Sequence, residues 1–230
     1  MVRPVFLAFL IGPFAGCQVV SYEQWKEPPT AAEERMAETN DPLTLALAAL
    51  DRGDDSVAAT QLALHVRRNP DQVVFQAQLA ELLYRLDRLP EARVEFEAVA
   101  ARAQEGPPGV RGQAVHCHTR LMEIARVRSD EYAERLNRGI GLFLIAARLG
   151  EAGPDADAGD VERMLCKAAA DLKSARDLRP GDGRAAWYLY RVWTMLDQPQ
   201  PAAKALRAAR AAAPFSALTP AEYREVMSEE

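Results

Sequence analysis

The chain has little cysteine, no long apolar run and no excess of basic charge, and each shortage excludes something. Three cysteines among 230 residues, Cys17, Cys117 and Cys166, build no disulfide framework. No apolar stretch reaches the roughly 20 residues that a helix needs to cross a bilayer. The longest, residues 5–16, is broken by Gly12 and Pro13. A net charge of −5 and a pI near 5.4 deny the chain the basic footprint that nucleic-acid binding requires. From residue 42 to about 213 no segment alternates polar and apolar over a strand's length, so no sheet is expected. Also missing are a glycine-rich phosphate loop, a G-x-S-x-G elbow and an H-E-x-x-H pair. The sequence therefore nominates no catalytic residue, no metal site and no cofactor, and the expectation is a protein that is not an enzyme.

What is present begins with an anchor. Arg3 precedes the short apolar run, and the small residues Ala15 and Gly16 stand just before Cys17, the layout of a secretory signal. The quartet Phe14-Ala15-Gly16-Cys17 resembles the bacterial lipobox, with phenylalanine where that motif usually has leucine. The resemblance implies cleavage before Cys17, acylation of its thiol and a location in the cell envelope. Gln18 follows the cysteine where a retention-type aspartate would stand, which by the same resemblance favours the outer membrane, facing the periplasm. Ordinary cleavage, giving a non-lipidated periplasmic adaptor, is the alternative. Residues 1–16 are thus read as signal, and 17–41 as a lipidated N-terminus and linker carrying Pro28 and Pro29.

Asp41-Pro42 marks a helix start, proline being tolerated in the first turn. Beyond it, apolar patterns of period 3.6 are punctuated by turns, the signature of an all-α fold. Those patterns repeat. Ala58 and Leu62 recur 34 positions later as Ala92 and Phe96, and Leu45-Ala46 as Leu79-Ala80. Ala168, Leu172, Ala175 and Pro180 recur by the same shift as Ala202, Leu206, Ala209 and Pro214. Small residues let two antiparallel helices approach closely, and a bulky residue opposite fills the remaining space.

This period and pattern resemble the tetratricopeptide repeat. The clearest copies are residues 72–103 and 183–214. The resemblance implies a short right-handed superhelix of antiparallel helix pairs over residues 42–214, about nine helices, with 215–230 as a C-terminal cap or tail. It also implies protein–protein interaction, as a scaffold or assembly factor. The middle has two registers. Helices 109–127 and 130–149 could form a pair, with the Gly/Pro-rich "EGPPGVR" absorbing an insertion. Alternatively 130–149 pairs with 160–178, Gly139 and Gly141 supplying the close approach. The second is preferred, at the cost of leaving 109–127 unpaired.

Several residues invite chemistry. His116, Cys117 and His118 are consecutive, so on a helix they point about 100° apart and cannot converge on one ion. A rival reading as an enzyme subunit would rest on this triplet and on the acidic loop at 155–160. That loop fails the EF-hand pattern at its fifth, sixth and twelfth positions, and Asp160 is instead expected to cap the next helix. In the helix beginning near Gly183, Trp193 falls at a core register. Arg184, Trp187 and Arg191 fall where the repeat family lines its concave groove, suited to an acidic or aromatic-bearing segment of another protein. The same aromatics could instead pack against 215–227 as a cap. Gln78, Glu81 and Tyr84 are the corresponding candidates in the earlier repeat.

Overall fold

Aspartates open many of the helices. In a computed structural model describing residues 41–105, 108–151, 157–212 and 218–229, the Asp41 carboxylate accepts from the Thr44 amide at 2.9 Å. It starts α1, Pro42–Asp51, with the proline in the first turn. Then come α2 (Asp55–Arg68), α3 (Val73–Arg85), α4 (Leu89–Glu105), α5 (Pro108–Val127), α6 (Glu131–Glu151), α7 (Ala158–Leu178), α8 (Gly183–Met195), α9 (Pro199–Ala212) and α10 (Pro220–Ser228). Among the described residues there are ten helices and no strand, so the all-α expectation holds, and α10 is the helix beyond the nine expected. The cap of α7 is Asp157, whose Oδ1 accepts from the Gly159 amide at 2.8 Å, and not Asp160 as expected. The reason is that the helix starts a turn earlier, with Asp160 inside its first turn. The signal, the linker and Cys17 lie outside the described residues.

Contacts divide the chain into two units, with the break inside α4 between Glu95 and Phe96. In the first, α2 and α3 run antiparallel. The Asp55–Arg85 ion pair joins the start of one to the end of the other, and His65 meets Phe75 edge-on at 4.9 Å near the connecting turn. Ala46, Ala49, Ala58, Leu62, Leu79 and Leu83 fill this unit's interior. In the second unit α5, α6, α7, α8 and α9 each pack on the next. Its core holds Leu136, Ile140, Phe143, Leu172, Trp187 and Leu189, with Val226 from α10.

A single turn recurs. Gly53, Asp87, Ser129 and Asp197 all have φ between 51° and 76°, the left-handed region. Each donates its N–H to the carbonyl three residues back, and the next residue donates to the carbonyl five back, as in Asp87→Tyr84 with Arg88→Leu83 and Asp197→Thr194 with Gln198→Trp193. These turns close the hairpins α1–α2, α3–α4, α5–α6 and α8–α9. Five residues past the left-handed residue of three of them stand Ala58, Ala92 and Ala202, all buried. Past the fourth stands Glu134.

The turn at Ser129 settles the middle register in an unexpected way. Helix α5 is not unpaired: Arg126–Glu134, His118–Asn137 and Gly112–Arg148 step down α5 as they climb α6, so the two are antiparallel. Helix α6 packs equally closely on α7, where Arg179–Asp130 and Arg138–Asp171 describe a second antiparallel pair. A Cβ on Gly139 would lie 2.7 Å from Leu172 Cγ, so the glycine permits this approach. Gly141 faces α5 instead, its added Cβ 3.8 Å from that of His118. Helix α6 therefore serves as a member of both pairs.

Candidate functional site

The residues with the densest polar and aromatic chemistry lie along the seam between α6 and α8. Contacts climb the two helices together, from Tyr132 with Asp182 to Phe143 with Tyr188, so α6 and α8 run parallel, with α7 as the crossover. At the lower end Asp182 caps α8, accepting from the Arg184 amide at 3.1 Å. Its carboxylate also takes the Arg184 guanidinium, at 3.0 Å, and the Tyr132 hydroxyl, at 2.5 Å. Burial alone would raise the Asp182 carboxyl, but the Arg184 hydrogen bond and charge outweigh it and hold the group below the usual carboxylate range. Burial and the bond to Asp182 push the Tyr132 phenol up. Arg184, although partly desolvated, is held charged by Asp182.

Behind this cluster sits His118 on α5. Asn137 Nδ2 donates to the Ala133 carbonyl, so its Oδ1 faces His118 Nδ1 at 2.8 Å as an acceptor, which puts the imidazole proton on Nδ1. Burial, aided by the Arg184 charge and opposed by the Asn137 bond, lowers His118 to about 4. It is a neutral structural imidazole at physiological pH. Its neighbours diverge as the helix geometry requires: Cys117 is buried, while His116 meets Phe96 edge-on at 6.4 Å. Among the described residues no group of three or more His, Cys, Asp or Glu is placed to hold a metal ion.

At the upper end of the seam are the aromatics. Phe143 and Tyr188 meet edge-to-face at 5.8 Å, and Trp187 stacks on Tyr190 at 5.3 Å. The Arg191 guanidinium lies over Phe143 at 4.8 Å and within 6 Å of the Tyr188 and Trp187 ring centres. Trp187 is only 2 % exposed and belongs to the core, so its ring offers a partner little surface; its indole N–H is buried with no acceptor. Trp193, expected at a core register, is half-buried beneath Lys173, 4.7 Å away. Trp193 still packs against the core cluster, and the aromatics of α8 meet the C-terminal segment as the capping alternative expects. Tyr188 donates to the buried Glu222 at 2.8 Å, Tyr190 to Glu229 at 2.9 Å, and Arg210 Nε to the Val226 carbonyl at 3.0 Å.

No family model matches this chain, and no curated protein matches it. The site must be weighed on its own chemistry. A shallow depression of about 270 Å³ between α8 and α9, lined by Tyr190, Thr194, Asp197 and Leu206, falls below the usual size of a small-molecule pocket and is open. Gln78 is exposed on α3, while Glu81 and Tyr84 are half-buried on the same helix in the first unit. The Tyr132–Asp182–Arg184 cluster and His118 went unforeseen as a group. The available signal was Asp182 directly before a helix start, which marks a cap; nothing local brings Tyr132 to it, fifty residues earlier.

Proposed function

We propose that this chain is a lipid-anchored helical-repeat protein of the bacterial cell envelope that binds a segment of another protein. On this reading Cys17 carries the acyl group, residues 18–41 provide reach, and the helical domain presents binding surface on the periplasmic side of the outer membrane. More than one acyl chain makes such anchoring stable, at about 0.8 kcal/mol per buried methylene. The observation that carries the scaffold reading is the recurrence of one two-hydrogen-bond turn at Gly53, Asp87, Ser129 and Asp197. Repeated hairpins of this kind expose extended helix faces and build no enclosed pocket. Neither the neutral, buried His118 nor the saturated Asp182–Arg184 pair is poised for proton transfer or nucleophilic attack, which supports a binding role over catalysis.

The test has two arms. Cells grown with a radioactive fatty acid should label the parent chain and leave Cys17→Ala unlabelled; label retained in Cys17→Ala, or absent from the parent, removes the lipoprotein reading in favour of a soluble periplasmic adaptor. A photoreactive residue replacing Gln78 on the exposed face of α3 should cross-link to a discrete envelope protein in intact cells. If it yields no adduct there, α3 is not a binding face.

A further inference from the structure

We infer that α10 is a tethered stand-in for a partner's helix: the surface it covers on α8 and α9 receives an acidic helical segment of another protein once α10 leaves. The inference rests on the binding-scaffold proposal above and names the kind of segment that it takes. The first observation is how α10 is held. Its inward face is Glu222 and Val226, four residues apart and both buried, while Tyr223 and Met227 are exposed. Tyr188 donates to Glu222 at 2.8 Å, Tyr190 to Glu229 at 2.9 Å, and Arg210 Nε to the Val226 carbonyl at 3.0 Å. Val226 is the one apolar side chain of α10 that is buried. A helix of nine residues is too short to be stable by itself. Held by polar bonds and one buried apolar side chain, it belongs to the segments that open locally while the core stays folded.

The second observation is what the interface is made of. Glu222 is a buried carboxylate answered by neutral groups, the Tyr188 hydroxyl on one oxygen and the Thr219 amide on the other. A cover that served only to seal the end of the array would place an apolar side chain there, because a buried carboxylate without a cation is costly. When α10 leaves, Glu222 returns to water, so this bond is exchanged for hydration at little net change. The contact fixes where the helix sits and holds it weakly.

Charge selects the partner. The hairpin from Gly183 to Ala212 carries Arg184, Arg191, Lys204, Arg207 and Arg210 against the single acid Asp197, in a chain whose net charge is −5. Asp182 neutralises Arg184, whereas Lys204 and Arg207 stand exposed on α9. Residues 220–230 carry Glu222, Glu225, Glu229 and Glu230 against Arg224 alone. Thus an acidic helix lies on a basic hairpin, with Arg210 at the carbonyl end of its dipole. An occupant from outside must reproduce the same points: a glutamate for Tyr188, an apolar side chain one turn later in place of Val226, and a further acid for Tyr190. While tethered, α10 competes at an effective concentration on the order of millimolar, so only a better-fitting or locally concentrated helix replaces it.

The experiment uses the full chain held in detergent micelles, with a fluorescein-labelled peptide of residues 218–230 as probe and anisotropy as readout. Two variants release the tethered helix. Val226→Asp removes its apolar hold, and Arg224→Pro, at an exposed position, breaks the helix without touching the hairpin. The peptide should bind both variants saturably and the parent at least about tenfold more weakly, because the tethered helix competes there. A peptide carrying Glu222→Gln should lose at least about tenfold toward the released chains, as loss of a charged acceptor predicts. Amide exchange read by mass spectrometry should show α10 of the parent exchanging much faster than α8. Equal affinity for parent and variants, no binding to either variant, no loss with the Glu222→Gln peptide, or α10 amides as slow as those of α8 overturns the inference. So does a parent dimer in light scattering that dissociates in both variants, which assigns the surface to α10 of a second copy. Because no partner protein enters the measurement, such a failure removes the receptor beneath α10 and leaves the scaffold proposal to its own labelling and cross-linking test.

Discussion

At the scale of single residues, His118 carries the clearest consequence. Its folded-state pKa, about 4, lies below the ordinary value of 6.5 because burial disfavours the imidazolium. Below pH 6.5 the unfolded chain takes up a proton that the folded chain refuses, so stability is full above that pH and is lost as pH falls toward 4. The loss from this one group should approach about 3 kcal/mol. Chemical denaturation at a series of pH values should show that decline, and His118→Gln should flatten it between pH 6.5 and 4. A decline of equal steepness in the variant would assign the acid sensitivity to other groups. That His118 is buried was not legible from "HCH", because the sequence shows that three neighbours diverge but not which of them faces inward.

At the scale of helices, two glycines of one type should respond oppositely to the same change. An alanine methyl at Gly139 would fall 2.7 Å from Leu172 Cγ, a branch carbon that cannot swing away, and 3.3 Å from the Ala168 carbonyl. Overpacking there costs about 1–3 kcal/mol, which outweighs the gain of up to about 1 kcal/mol in helix propensity. Gly139→Ala should therefore lower the melting temperature. At Gly112 the same methyl meets, among the described residues, only the flexible end of Arg148, at 3.3 Å, so Gly112→Ala should hold or raise it. Thermal melts of the two variants decide the matter; equal effects would mean that α6 and α7 are not pinned at Gly139. The close approach at Gly139 was readable from the pattern. The double role of α6 was not, since Glu134 stands where the other hairpins place alanine, and α6 and α7 are 21 residues long against 13 and 14 for α8 and α9.

At the scale of the whole molecule, the cysteines report on the packing. Cys117 is 1 % exposed and Cys166 is exposed on α7, and among the described residues no disulfide joins them. Iodoacetamide should alkylate Cys166 in the native chain and reach Cys117 only after unfolding, with mass spectrometry of tryptic peptides as the readout. Reducing agent should leave the melting temperature unchanged. Prompt native labelling of Cys117 would show that the α5–α6 packing opens readily. The same scale explains α10: its capping box, Thr219 with Glu222, turns a terminal segment into a helix, and the buried Tyr188–Glu222 bond fixes it over α8.

The helical class, most helix starts and the two 34-residue recurrences are legible in local pattern alone. Caps, periodicity and small-residue spacing act over a few residues and are written locally. Which tryptophan of α8 is buried, and that α5 and α7 share α6, were settled by packing between helices. Those facts depend on which side chains meet across helices far apart in the chain. That outcome is set by helix length, crossing and the covering helix α10, and no local pattern encodes it.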